Sequence, residues 1–375
     1  MAPGLASCTA QELRDLGLPG TTDIGGVAFE GGQRQLYQAN LHLRTASRVL
    51  VRAGEFYAAA FAELRKKAGR LAWESYLRPG QPVAIHTTCH KSKLYHSDAV
   101  SERVAAAIGD RLGQAPASQP GAPDSDTPAA QLVVVRLVRD LCTISVDSSG
   151  ALLHQRGYRL ATAKAPLRET LAAGMLLASG WDRRAPLLDP FCGSGTIPIE
   201  AALVAQHIAP GRARTFAFMD WPDYEASQWQ LVLAEAEAGV VSSGWPRLLA
   251  SDRDAGAIEA SQANAARAGV AEAIEFSCRA ISAIEPPPEP GWVVTNPPYG
   301  ARLSGPHDLR NLYAQFGQVL RRRCAGWRVA FLSADARLQA STGLKFDDER
   351  TLPLSNGGLR VNLMQADVPA TMAAP

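Results

Sequence analysis

The stretch from Ala185 to Ser333 constrains the fold more than any other part of the chain. Short apolar runs recur there, and most end in a polar residue that precedes a turn. Pro186-Leu187-Leu188 runs into Asp189, and a helix is expected from about Pro198 to Ile208. Residues 247–251 form a second run, ending at Asp252, with a helix over 255–268. A third run, 292–295, ends at Asn296, and 329–333 is a fourth. Strands alternating with helices predict an α/β fold with a parallel, doubly wound sheet. Ligands of such sheets sit beyond the carboxyl ends of the strands. Asp189, Asp252 and Asn296 all fall at such ends.

The first half reads differently. Residues 37–64 show largely helical spacing, 83–86 suit a short strand, and 98–112 a helix. Residues 131–137 and 141–146, separated by Arg139-Asp140, predict a hairpin. Between them and the preceding helix lies 114–130, with Pro116, Pro120, Pro123 and Pro128 among small polar residues. It reads as a long loop within one region. Helices mixed with short strands suggest one or two small α+β units.

Charge follows this division. Residues 1–164 hold 19 Lys and Arg against 14 Asp and Glu, a balance of +5, whereas 165–375 hold 19 against 22. A basic front half suits phosphate binding, and equally an ordinary solvated surface. No apolar run reaches the ~18 residues of a membrane span, and Met1-Ala2-Pro3-Gly4 does not resemble a secretion signal. The six cysteines form no CxxC pair, so a cytoplasmic protein with reduced thiols and no metal is expected.

Three motifs carry chemistry. In Asp189-Pro190-Phe191-Cys192-Gly193-Ser194-Gly195-Thr196 the glycines allow a tight turn and close backbone approach to a nucleotide-like cofactor. A structural turn or a dinucleotide site would look similar. The GxGxxG pattern fails, however, because Ile197-Pro198 stands where a third glycine would fall. Asp252 can accept hydrogen bonds from ribose hydroxyls. Asp252 or Asp254 can also cap the following helix; Asp254 is assigned to the cap and Asp252 to ribose.

The third motif is Asn296-Pro297-Pro298-Tyr299. Its prolines remove two N–H donors and stiffen the backbone. That leaves the Asn296 side-chain oxygen and the Pro297 carbonyl as acceptors. An exocyclic base amine is a poor nucleophile because its lone pair is delocalised into the ring. Two acceptors gripping its hydrogens favour a pyramidal nitrogen, aimed at a methyl sulfonium, while Tyr299 offers a stacking face.

Together these motifs resemble the class I S-adenosylmethionine methyltransferases that act on exocyclic amines. His154-Gln155-Arg156-Gly157-Tyr158-Arg159, the segment from Ala165-Pro166 to Ala173, and Ile208-Ala209-Pro210-Gly211 narrow the resemblance to the THUMP-containing RNA guanine-N2 methyltransferases. So do Tyr37–Leu41, Leu43–Val49, Ser92–Ser97 and Asn356–Arg360. The bacterial branch acting on 23S rRNA is most similar, and a tRNA-acting branch shares its architecture. The resemblance implies a ferredoxin-like unit over 1–60, a THUMP unit over 61–165, and a class I Rossmann-like methyltransferase domain over 166–375. It places S-adenosyl-L-methionine against Asp189, Phe191, Cys192, Gly193, Gly195 and Thr170, with Asp252 on the ribose and Arg253 and Ala280 near the adenine. Structured RNA would meet Lys91, Lys93 and Arg156.

Two departures stand out. Arg279-Ala280 occupies the place of the acid that usually receives the adenine amine, and Thr9-Ala10-Gln11-Glu12 replaces a Gly-Leu-Glu. The tetrapeptide alone leaves adenine-N6 methylation open, and a catalytically inert RNA-binding protein is a further reading. His86, His90, His96 and Cys89 lack a recognisable metal-ligand spacing. Cys192 reads as a small filler, and Arg321-Arg322-Arg323 as a helix end matched to its dipole.

Overall fold

The computed structural model describes residues 1–23, 25–120, 130–159, 167–299 and 306–370. The proline-rich Pro123–Pro128 stretch and Ala165-Pro166 lie outside the described residues. The chain begins with α1 (Ala6–Asp15), a small hairpin of β1 (Gly20–Asp23) and β2 (Gly26–Phe29), and α2 (Gln33–His42).

A five-stranded sheet follows. Its elements are β3 (Leu50–Tyr57), α3 (Phe61–Ala68), β4 (Val83–His90), α4 (Ser97–Leu112), β5 (Ser118–Pro120), β6 (Gln131–Val138) and β7 (Leu141–Asp147). The strand order is β3-β7-β6-β4-β5. The expected hairpin is β6–β7, antiparallel around Arg139 and Asp140, both at positive φ. The helical reading of 37–64 is corrected by β3. Its exposure alternates with period two, which is strand spacing, and it pairs with β7. Strand β3, although it precedes residue 60, is thus part of this second sheet.

The remainder contains α5 (Glu169–Ala178), β8 (Leu187–Asp189), α6 (Thr196–Ala205), α7 (Ala226–Ala238), β9 (Leu248–Asp252), α8 (Ala255–Ala268), β10 (Ile274–Cys278) and β11 (Trp292–Thr295). It closes with α9 (Pro306–Arg323), β12 (Arg328–Ser333), α10 (Ala336–Ser341), β13 (Leu352–Asn356) and β14 (Leu359–Asp367). The strand order is β10-β9-β8-β11-β12-β14-β13, parallel from β10 to β12 and antiparallel beyond. The doubly wound sheet expected from the strand-end pattern is present. Helix α6 begins two residues earlier than expected, because Gly195 at φ 83 supplies its left-handed N-cap.

Residues between α6 and β9 bind the two halves together. Phe216, Phe218, Trp221 and Trp229 pack into the core of the front half, with Phe218 stacked on Tyr37 at 4.5 Å. A buried polar layer runs beside them. Arg44 donates to the Ile208 carbonyl (2.7 Å), and Arg214 to those of Leu152 and Gln155 (2.6 Å each). Glu12, part of the departure near the N-terminus, accepts from the backbone N–H groups of Arg44 and Thr45.

Arg156 lies in this layer, which corrects its assignment to RNA. It is 4% exposed, pairs with Glu200 at 3.4 Å, and donates to the Arg44 carbonyl at 2.7 Å. A buried guanidinium satisfied by protein acceptors has no face left for phosphate.

Candidate active site

Asp189, Asp252 and Thr295 end three neighbouring parallel strands, so their side chains converge on one edge of the sheet. Asp189 is buried. Its Oδ1 accepts from the Thr295 hydroxyl at 2.6 Å and from the Phe191 N–H at 3.2 Å. Burial pushes its carboxyl up to about 7 against the partial relief of those bonds. Asp252 holds the glycine turn, its Oδ2 accepting from the Gly193 N–H at 3.0 Å. Asp254 caps α8 through the N–H groups of Gly256 and Ala257, leaving Asp252 outside the cap as expected.

The turn itself is braced from below. Asn264 donates to the Ser194 carbonyl at 2.9 Å, and Arg267 links Asn264 to the Tyr158 carbonyl. Arg159 reaches Thr196 at 2.5 Å and Glu169 at 3.4 Å. The His154–Arg159 motif thus supports the turn. Gly195 must be glycine on two counts, its φ of 83 and the Ser261 side chain 2.8 Å from where a Cβ would lie. A Cβ on Gly193, by contrast, would meet nothing within 4 Å. Burial raises the Cys192 thiol well above its ordinary value, so it is an inert filler and no nucleophile.

At the end of β11 the Asn296 Oδ1 is buried and has no hydrogen-bond partner among the described residues. A buried acceptor left unpaired costs about 1–3 kcal/mol. Tyr299 is half-buried, and its hydroxyl accepts from Asn356 Nδ2 at 2.6 Å. Phe191 packs edge-on against Phe316 of α9 at 5.5 Å. An open groove of 890 Å³ counts Arg253, Pro298, Leu309 and Leu312 among its lining residues, which brings the end of β9 to the tetrapeptide.

The structure thus places Phe191, Cys192, Gly193 and Gly195 in one turn between Asp189 and the Asp252 carboxylate, with Arg253 and Pro298 sharing the adjacent groove. Thr170 is buried in the first turn of α5, and Ala280 is exposed after β10. Two bonds at the site have no signature in the sequence, although Asn356 itself lies in one of the segments that carry the resemblance. Thr295 and Asn356 lie 106 and 57 residues from the groups they bind, and no local pattern signals such pairs.

A family model described as the RMKL-like methyltransferase domain matches residues 156–364. Models for the RlmL ferredoxin-like domain and the THUMP domain match 1–50 and 58–147. A Synechocystis protein described as an RNA methyltransferase is 34% identical over 370 residues, covering 98% of this chain and 95% of its own. The chain belongs to the RMKL-like methyltransferase family. In this RMKL-like chain, ferredoxin-like and THUMP units precede a Rossmann-like domain that uses S-adenosylmethionine.

A ribosomal RNA large subunit methyltransferase K/L of Allochromatium vinosum is 37% identical over 376 residues, covering 97% of this chain and 50% of that protein. The RMKL-like chain spans about half the length of such K/L relatives. Among solved structures, SMU.472, a protein described as a methyltransferase and complexed with SAH, superposes with a TM-score of 0.86 at 30% identity, covering 100% and 97% of the two chains. A Listeria monocytogenes protein described as an N6-adenine-specific DNA methylase has the same TM-score at 34% identity, covering 98% and 94%.

Proposed function

We propose that this chain methylates the exocyclic N2 amine of a guanosine in large-subunit (23S) ribosomal RNA. The observation that carries the amine chemistry is the buried, unpartnered Asn296 Oδ1 at a strand end stripped of N–H donors by Pro297 and Pro298. The name of the K/L relatives, ribosomal RNA large subunit methyltransferase, supports ribosomal RNA, and the resemblance of the flanking motifs supports guanine.

The residues present suit the cofactor. Gly193 has open space where a nucleoside could approach, and Asp252 presents a carboxylate beside it. S-Adenosylmethionine supplies an electrophilic methyl carbon on a sulfonium. Asp252 would hold the ribose, while Arg253 and Pro298 flank the adenine. Asn296 Oδ1 and the Pro297 carbonyl accept the amine's two hydrogens and aim its lone pair. Tyr299 stacks on the base, its ring orientation fixed by Asn356. Both acceptors are neutral amides, so the proton lost on N-methylation goes to solvent. Lys91 and Lys93 are exposed on the β4–α4 corner, beside Tyr95, which is 70% exposed and lies 4.1 Å from the His96 ring. That corner would meet phosphate and bases.

Nucleoside mass spectrometry of ribosomal and transfer RNA from a deletion strain tests the reading. Loss of N2-methylguanosine from 23S rRNA alone is expected. Loss of N6-methyladenosine would overturn the base. Loss from tRNA would overturn the polymer, and no change would favour an inert RNA-binding protein.

A pH dependence follows from Asp189. The folded chain holds this proton up to about pH 7, against 3.8 for an ordinary aspartate, so this group lowers folding stability as pH rises across that window. A cationic ligand favours the carboxylate. Cofactor binding at pH 7 should therefore release roughly half a proton, with affinity rising toward pH 8 and then levelling. Calorimetry in buffers of differing ionisation enthalpy reads this directly. Proton release that persists unchanged in Asp189→Asn would assign it to another group.

A further inference from the structure

The hairpin β13–β14 carries an apolar ladder out of the core to the proposed base site. Its register pairs Leu352 with Leu363, Leu354 with Val361, and Asn356 with Leu359. Directly opposed residues share one face of an antiparallel pair, with Cβ atoms about 5 Å apart. Leu354, Val361 and Leu363 are buried in the core of the methyltransferase domain. The last rung differs, because Asn356 donates to the Tyr299 hydroxyl at 2.6 Å while Leu359 opposite it is 46% exposed. The two strands are joined by Gly357 and Gly358 at φ 57 and 83, the two-residue turn that matches strand twist. Leu359 is therefore an exposed apolar side chain at the tip of the hairpin, directly across the ladder from the asparagine that holds the tyrosine on which the target base would stack.

A base reached by its exocyclic amine must leave its stack, and that leaves a gap between its neighbours. Proteins that open base steps fill such gaps with apolar side chains. We propose that Leu359 packs against the base adjacent to the target and fills the vacated place. The inference rests on Tyr299 receiving a flipped base. Leu359 acts as a positioning residue: it stabilises the open nucleic acid and touches no reacting atom.

The test uses the 23S rRNA hairpin surrounding the N2-methylguanosine mapped in the deletion strain, made in two forms. In one the target guanosine is paired; in the other it faces an abasic site and is already loose. Leu359→Ala should slow methylation of the paired form at least about tenfold and of the loose form less than about twofold. Leu359→Met should restore most of the paired-form rate. Equal losses on both forms would mean a merely structural role, and no loss on either would mean no role; both results overturn the proposal. Wild-type protein that methylates neither form would instead overturn the rRNA reading, and this inference with it.

Discussion

Asn296→Ala should lower kcat for methyl transfer by at least about a thousandfold while leaving cofactor affinity within about twofold. Removing a single preorganised polar group from a developing charge costs roughly 10²–10³ in rate, and here the same oxygen also orients the nucleophile. The fold should not suffer. Asn296 Oδ1 has no partner among the described residues, so deleting it removes a buried unpaired acceptor and no existing bond. Thermal stability should stay level or rise slightly, as expected where a site is built for its ligand at the fold's expense. Asn296→Asp keeps an oxygen at the same place and should recover part of the lost rate. Single-turnover methylation and calorimetry on the same preparations give both readouts. Activity of the alanine variant within tenfold of wild type would refute the amine grip. A parallel loss of cofactor binding would point instead to a collapse of the strand ends.

What the chain reveals in advance depends on how far apart the interacting groups are. Asp189, Asp252 and Asn296 were legible because each directly follows an apolar run, and in a parallel sheet that position alone places a side chain at the ligand edge. The Asp254 cap was legible for the same local reason. Strand β3 was misread because the apolar residues of 37–64 could be fitted to a helical period, and only pairing with β7, some ninety residues on, decides between the two. Arg156 was misread because an arginine in a polar motif looks the same whether it meets RNA or Glu200. The Thr295–Asp189 and Asn356–Tyr299 bonds exist only once the sheet has assembled. The chemistry was thus written in strand-end residues, and the support for that chemistry in contacts between distant segments.

Asp252→Ala should weaken S-adenosylmethionine binding at least about thirtyfold. A hydrogen bond to a charged group contributes about 1.5–3 kcal/mol, and a carboxylate at a strand end can take two from a ribose. The side chain has a second task, since its Oδ2 holds the Gly193 N–H at 3.0 Å and its Oδ1 the Asp254 N–H at 3.1 Å. Loss of affinity could therefore come from a loosened glycine turn, and the two causes separate in a cycle. An analogue lacking the ribose 2′-hydroxyl should bind the wild type about tenfold more weakly than the cofactor does, yet bind Asp252→Ala no more weakly than the cofactor does, because the partner of that hydroxyl is gone. An analogue penalty of the same size in both proteins would show that Asp252 shapes the turn without touching the sugar. Asp254→Ala is the control. It removes a helix cap worth about 1 kcal/mol of stability and should lower the melting temperature without moving cofactor affinity. Should Asp254→Ala weaken binding as much as Asp252→Ala, the carboxylate pair would be acting through α8, and the ribose assignment would fall.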